Sequence, residues 1–158
     1  MDKPSVYIET SIVSYLAARP SRDPQTLRNQ QLTHAWWNTR REEYALYTSD
    51  LVLTEAASGD AAMARRRIAL LSTIPLLEPH DRAGDLAHDL RVGVPLPPQA
   101  NTDALHIALA ALYGMSYLLT WDSKHIANPK LRLRISGVCL ARGCLAPSLC
   151  TPTDVMGD

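Results

Sequence analysis

The sequence predicts an α/β fold with a central, mainly parallel sheet, and three observations point to it. Short β-rich runs alternate with helical runs along the chain. The stretch TDALHIALAALY, residues 102–113, is apolar nearly all round, as expected of a helix buried against a sheet. Lone acids stand just beyond two of the apolar runs, Glu9 after SVYI and Asp122 after YLLTW. Open parallel sheets gather function at those carboxyl ends. The 158 residues suit one domain spanning 1–158, long enough to bury a core without staples.

SVYI, residues 5–8, is the first strand, and TSIVSYLA follows as a helix capped by Thr10 or Ser11. ARPSRDP, residues 18–24, is a loop. Residues 24–43 open with Pro24 and carry a helical apolar rhythm through Leu27, Leu32, Ala35 and Trp36. YALYTS, residues 44–49, is the second strand. A helix starts near Asp50 and breaks at Gly59, and another spans residues 60–73. IPLLEP, residues 74–79, is a short third strand. RAGDLAHDLRVG is helical and VPLPPQAN is a Pro-rich loop. The buried helix over 102–113 ends at Gly114. MSYLLTW is the fourth strand, a helix follows Pro129, and SLCTP near residue 150 is a fifth strand.

Composition excludes several classes. Apolar residues make up 46% and charged residues 20%, the balance of an ordinary soluble globular protein. Sixteen basic and sixteen acidic residues cancel, which argues against an indiscriminate, charge-driven grip on nucleic acid. An acidic pocket beside a basic patch would cancel in the same sum. Cys139, Cys144 and Cys150 match no zinc-binding spacing and read as reduced thiols of a cytoplasmic protein. No signal peptide is visible, and no apolar run approaches the ~20 residues that span a bilayer. The phosphate-binding patterns GxGxxG and GxxxxGK[ST] are absent.

Four acids draw the argument toward chemistry. Glu9 ends strand one, Asp122 ends strand four, Glu55 lies a turn into the helix after strand two, and Asp103 opens the buried helix. Carboxylates without cysteine or clustered histidine suit a hard cation such as Mg²⁺ or Mn²⁺. Such a site can activate water and offset charge on a phosphodiester. Each acid alone is also a plausible helix cap, and spacing alone does not bring the four together.

YIETS, SDLVLTE, TDALHIALAA and LLTWDSKHIANP, in that order, resemble the PIN-domain family, most closely its VapC-like toxins from type II toxin–antitoxin pairs. The similarity runs from Val6 to the SLCTP segment. It implies a PIN-like three-layer α/β/α sandwich and a metal-dependent endoribonuclease using Mg²⁺ or Mn²⁺. The family's four acids fall on Glu9, Glu55, Asp103 and Asp122, with Glu9, Asp103 and Asp122 as metal ligands. Thr10 or Ser11 matches the hydroxyl after the first acid, and Thr120 the one before the fourth. The resemblance further implies an RNA substrate, a cognate antitoxin and a homodimer. Two departures stand out. Glu9 is one methylene longer than the usual Asp, and Lys124 replaces a further acid of many relatives. They define the alternative: a catalytically weak or inactive PIN-like module that binds RNA or protein.

Other residues take lesser roles. Lys124, Arg19 and Arg22 are placed to meet phosphate. His106 reads as a satisfied, partly buried residue one turn after Asp103. His125 and Asn128 shape a site wall or a turn. Arg65, Arg66 and Arg67 splay around their helix and read as a solvated face or a partner contact. Of Trp36 and Trp37, one is expected in the core and the other at a partner contact.

Overall fold

The structure is a computed structural model that describes residues 2–97 and 100–156. The two ends of the expected 1–158 domain therefore lie outside the described residues, as do Pro98 and Gln99 of the expected Pro-rich loop. One sheet holds β1 (Ser5–Ile8), β2 (Ala45–Ser49), β3 (Leu76–Leu77), β4 (Tyr117–Leu119) and β5 (Ser148–Cys150), in the order β3-β2-β1-β4-β5. Every pairing is parallel.

Helices fill the connections. They are α1 (Thr10–Ala17), α2 (Pro24–Thr39), α3 (Asp50–Ala56), α4 (Ala61–Leu71), α5 (Ala83–Gly93), α6 (Asn101–Leu112), α7 (Arg132–Ala141) and α8 (Pro152–Met156). Crossovers between parallel strands are right-handed. The chain moves outward from β1 through β2 to β3, which puts α1 to α4 on one face. It then returns past β1 to β4 and β5, which puts α5 to α7 on the other. The packing agrees: α1 touches α2, α3 and α4, while α5 touches α6 and α7. The result is the three-layer α/β/α sandwich that the sequence predicts.

The core lies on both faces of β1 and β4, where Tyr7, Ile8 and Leu118 have no exposure. Burying one such aliphatic side chain stabilises the fold by about 1.5–3 kcal/mol. On the α6 side, Ala104, Ile107, Ala108 and Ala110 are fully buried. These small residues let α6 lie close to the sheet. Gly114 ends α6 at a φ of 67°, a left-handed conformation that favours glycine.

Boundaries differ from the sequence reading at identifiable points. The helix expected over 24–43 stops at Thr39, and Arg41–Glu43 forms a single 3₁₀ turn that redirects the chain into β2. The third strand shrinks to Leu76–Leu77 at the sheet edge, because Pro75 has no N–H to give the ladder and offers only its carbonyl to Thr48. Helix α8 was not expected, although its signal is present: Pro152 starts it, and Asp154 accepts from the Thr151 N–H at 2.9 Å. Trp36 and Trp37 are both buried, so neither is an exposed partner anchor. Among the described residues, no helix is long and apolar enough to cross a membrane.

Candidate active site

The strand order reverses between β1 and β4, and ligands of open α/β sheets bind at such a switch point. Glu9 directly follows β1, and its N–H continues the ladder to the Leu119 carbonyl at 3.1 Å. Thr120 and Asp122 follow β4. A short turn joins α6 to β4, so α6 runs back along the strands and its first turn, with Asp103, stands at their carboxyl edge. Ser49 ends β2 and caps α3 by accepting from the Val52 N–H at 3.3 Å. That places Glu55 one to two turns below the same edge.

Glu9 is nearly buried, at 8% exposure. Its Oε1 accepts from the Ser11 N–H at 3.1 Å, the Ser11 hydroxyl at 2.5 Å and the Thr120 hydroxyl at 2.6 Å. Glu9 is thus the N-cap of α1, in the place where sequence favoured Thr10 or Ser11. The caps use only Oε1, which leaves Oε2 for another partner. Asp122 is divided in the same way. Its Oδ1 accepts from the N–H groups of Lys124 and His125 at 3.1 and 3.0 Å, while Oδ2 lies 3.6 Å from His125 Nδ1. Thr120 joins the two acids, because its hydroxyl oxygen also accepts from the Asp122 N–H at 2.9 Å.

The acids fall into two neighbouring triads. Ligand atoms of Glu9, Glu55 and His106 lie within 4.8 Å of one another, and so do those of Asp103, Asp122 and His125. The expected ligand set of Glu9, Asp103 and Asp122 spans both triads. His125 Nδ1 is 2.8 Å from Asp103 Oδ2. Burial pushes Asp103 up to about 6, and the Asp122 charge adds to the rise, while the hydrogen bond and charge of His125 oppose it. Burial of Asp103 beside the Asp122 charge favours a positive partner there, and a cation would supply one. The donor chemistry, oxygen-rich and free of thiols, fits Mg²⁺ or Mn²⁺.

Glu55 is tied from behind. His106 is fully buried, with Nε2 at 2.8 Å from Glu55 Oε1 and Nδ1 at 2.7 Å from the Tyr7 hydroxyl. Tyr7 in turn meets the Ser49 hydroxyl at 2.7 Å. Burial drives Glu55 upward, but the His106 hydrogen bond and charge and the Thr10 hydroxyl together outweigh it and hold Glu55 below its ordinary value. With Glu55 as a carboxylate, His106 Nε2–H donates to it and Nδ1 hydrogen-bonds the Tyr7 hydroxyl, so every buried member is satisfied. Both ring nitrogens are then occupied, which removes His106 from any ligand set. The expectation of a satisfied histidine is met, with burial complete rather than partial.

Thr10, Ser11 and Thr120 therefore all touch site carboxylates. Lys124, two residues after Asp122, and Arg19, just past the far end of α1, are both exposed, and their side chains make no hydrogen bond or ion pair among the described residues. Sequence reasoning missed His125 as the partner of two acids, and it missed Tyr7 altogether. The three-residue step from Asp122 to His125 was a usable signal for the first. Nothing local marks the second, since Tyr7 and His106 are 99 positions apart.

The profile of the PIN domain matches residues 6–131. No curated protein matches the chain. Among solved structures, the fold is similar to VapC20 of Mycobacterium tuberculosis, a toxin that cleaves the sarcin–ricin loop. The TM-score is 0.60 at 16% identity, over 78% of this chain and 95% of that one. It is also similar to VapBC2 of Rickettsia felis, solved on a DNA fragment from its promoter, with a TM-score of 0.56 at 15% identity, over 80% and 95% of the two chains. At such identities the likeness is one of fold. The profile match covers most of the sequence and contains all four acids, and on that ground the chain belongs to the PIN-domain family.

Proposed function

We propose that this chain, as one domain over 1–158, is a metal-dependent endoribonuclease that hydrolyses RNA phosphodiester bonds, and that it acts as a VapC-like toxin. One observation carries the reading. Glu9, Glu55, Asp103 and Asp122 form a continuous run of carboxylates, linked through Thr120 and His125, at the switch point of a PIN fold. Glu9, Asp103 and Asp122 would hold Mg²⁺ or Mn²⁺. A bound divalent cation supplies an acidified water and offsets charge gathering on the phosphate oxygens. Glu55, held as a carboxylate by His106 and Thr10, orients the attacking water. Ser11 and Thr120 fix Glu9, so its free oxygen needs little reorganisation. Arg19 and Lys124 meet the phosphates of the RNA. VapC20 lends the RNA substrate by likeness of fold, and VapBC2 lends an antitoxin partner. A homodimer in the cytoplasm completes the proposal.

A second reading has its own support. His125 seats itself against Asp103, and Lys124 adds a positive charge at the rim, a combination that suits binding without turnover. Purified protein free of antitoxin, incubated with mixed cellular RNA, separates the two. Cutting with Mn²⁺ or Mg²⁺ that stops with chelator and in Asp103→Asn supports the nuclease. Folded protein that binds metal and RNA yet cuts nothing supports the binding module.

A further inference from the structure

We propose that Trp121 and Tyr15 form a stacking platform for one nucleobase of single-stranded RNA beside the acids. The proposal rests on the ribonuclease reading and adds to it a feature of the substrate: an unpaired, unstacked base next to the phosphate that is cut. The two rings lie nearly parallel, 15° apart, with centroids at 5.6 Å. The Trp121 main-chain N–H donates to Ser11 Oγ at 2.8 Å, and that same Oγ donates to Glu9. Tyr15 follows Ser11 by one turn of α1, on the same side of the helix. The main chain of Trp121 is therefore one residue, Ser11, away from the first acid.

The indole is also fixed at its far end. Trp121 Nε1–H donates to Thr33 Oγ1 on α2 at 2.8 Å. Anchored at both ends, it needs no ordering when a base arrives. The chain has three tryptophans. Trp36 and Trp37 fill the core, at 1% and 8% exposure, whereas Trp121 and Tyr15 keep part of their surface in water. Aromatic faces left partly open at the lip of a polar site suit the π-face that every base presents. Gln30, one turn before Thr33, holds the Arg19 carbonyl at 3.2 Å, which keeps the exposed Arg19 on the same stretch of α2. Asp122, the next residue in the chain, turns the opposite way toward Asp103. A strand crossing the acids would thus meet Trp121 on the α1–α2 side.

The test uses the intact protein with chelator, so that binding is read without cleavage. A short, end-labelled, unstructured RNA is titrated by fluorescence anisotropy in every protein, and by intrinsic tryptophan emission in the proteins that keep Trp121. Trp36 and Trp37 are shielded, so Trp121 dominates any quenching. Binding with quenching is expected in the wild type. Trp121→Leu should weaken binding about five- to a hundredfold, Tyr15→Leu less, and Trp121→Phe within about threefold, as follows from the stacking energy of one base. A chain of the same phosphates without bases should bind wild type and Trp121→Leu alike. Unchanged affinity in a folded Trp121→Leu, or equal quenching by the baseless chain, overturns the platform. Thermal melts establish folding. If Trp121→Leu does not fold, Tyr15→Leu and Trp121→Phe are compared by the same anisotropy, and unchanged affinity in Tyr15→Leu overturns the platform. Metal-dependent cleavage by the wild type is measured alongside. Cleavage that persists while the platform fails leaves the nuclease standing, and a folded wild type that neither binds nor cuts RNA removes both.

Discussion

His125 Nδ1 lies 2.8 Å from Asp103 Oδ2 and 3.6 Å from Asp122 Oδ2, so a single imidazole nitrogen faces both acids of its triad. The ring is where the two carboxylates most need a positive partner. Its hydrogen bond lowers Asp103 while burial and Asp122 raise it. Removing the ring in His125→Ala should therefore move Asp103 above about 6 in metal-free protein. A carbon-detected NMR titration of the aspartate carboxyls reads this directly. A downward shift or none would mean that the contact does not stabilise the charged form.

The same acid sets a pH dependence with a definite sign. Its folded value of about 6 lies above the ordinary 3.8, so the folded state holds this proton more tightly than the unfolded chain. The contribution to stability is full below 3.8 and is lost as pH rises through 6. In chelator at pH 7, Asp103→Asn should be more stable than wild type, by about 1–3 kcal/mol after allowing for its partial exposure. The difference should vanish near pH 4. Urea melts at the two pH values measure it. Adding Mn²⁺ at pH 7 should reverse the order, because a cation stabilises the wild type, with all three acids, more than the variant, which keeps two.

The fold was legible because its signals are local. SVYI and YALYTS are β-rich runs, each followed by a capped helix, and YLLTW is a third such run. Glu55 was legible through the helix start near Asp50, which sets the depth of the acid, and the cap at Ser49 fixes that start. The division of the acids into two triads was not legible. It depends on His125 reaching Asp103 across 22 positions and on α6 meeting β1 through His106 and Tyr7 across 99, and both are long-range contacts. Nor does the sequence say that Glu9 would spend one oxygen as a cap, since that follows from Thr120 arriving across 111 positions.

The buried relay behind Glu55 makes its own prediction. Tyr7→Phe removes the hydroxyl between His106 and Ser49 and leaves His106 Nδ1 without a partner in a dry site. An orphaned buried polar group costs about 1–3 kcal/mol. Urea unfolding should show that loss. Any cleavage should fall as well, since Glu55 then depends on a loosened imidazole. Full stability in Tyr7→Phe would mean that water or a ring flip re-satisfies the nitrogen.

The thiols give a prediction independent of function. Burial pushes Cys139 and Cys150 each up to about 12, with Cys144 adding to the rise at Cys139. Thiolate is the reactive form, so both should be inert at neutral pH. Cys144 is only partly buried. An aromatic disulfide reagent should therefore titrate one thiol quickly, with the other two reacting only on unfolding. Loss of the fast thiol in Cys144→Ser assigns it.

Glu9 tests whether the extra methylene at this position is tolerated or built in. Three donors converge on its Oε1, two from Ser11 and one from Thr120, and all three depend on the reach of a glutamate. An aspartate draws the carboxylate back by about one C–C bond, roughly 1.5 Å. It could keep Ser11 or Thr120, but not both at hydrogen-bonding distance. Glu9→Asp should therefore destabilise the protein by about 1–2 kcal/mol through the lost charged hydrogen bond and the weakened cap. Glu9→Gln keeps the acceptor and the length but loses the charge, so it should fold nearly as well and lose most Mn²⁺ stabilisation. Melts of both variants, with chelator and with Mn²⁺, separate the two roles. If Glu9→Asp matches wild type in both conditions, the local packing adapts to the shorter acid and the longer side chain has no structural purpose of its own.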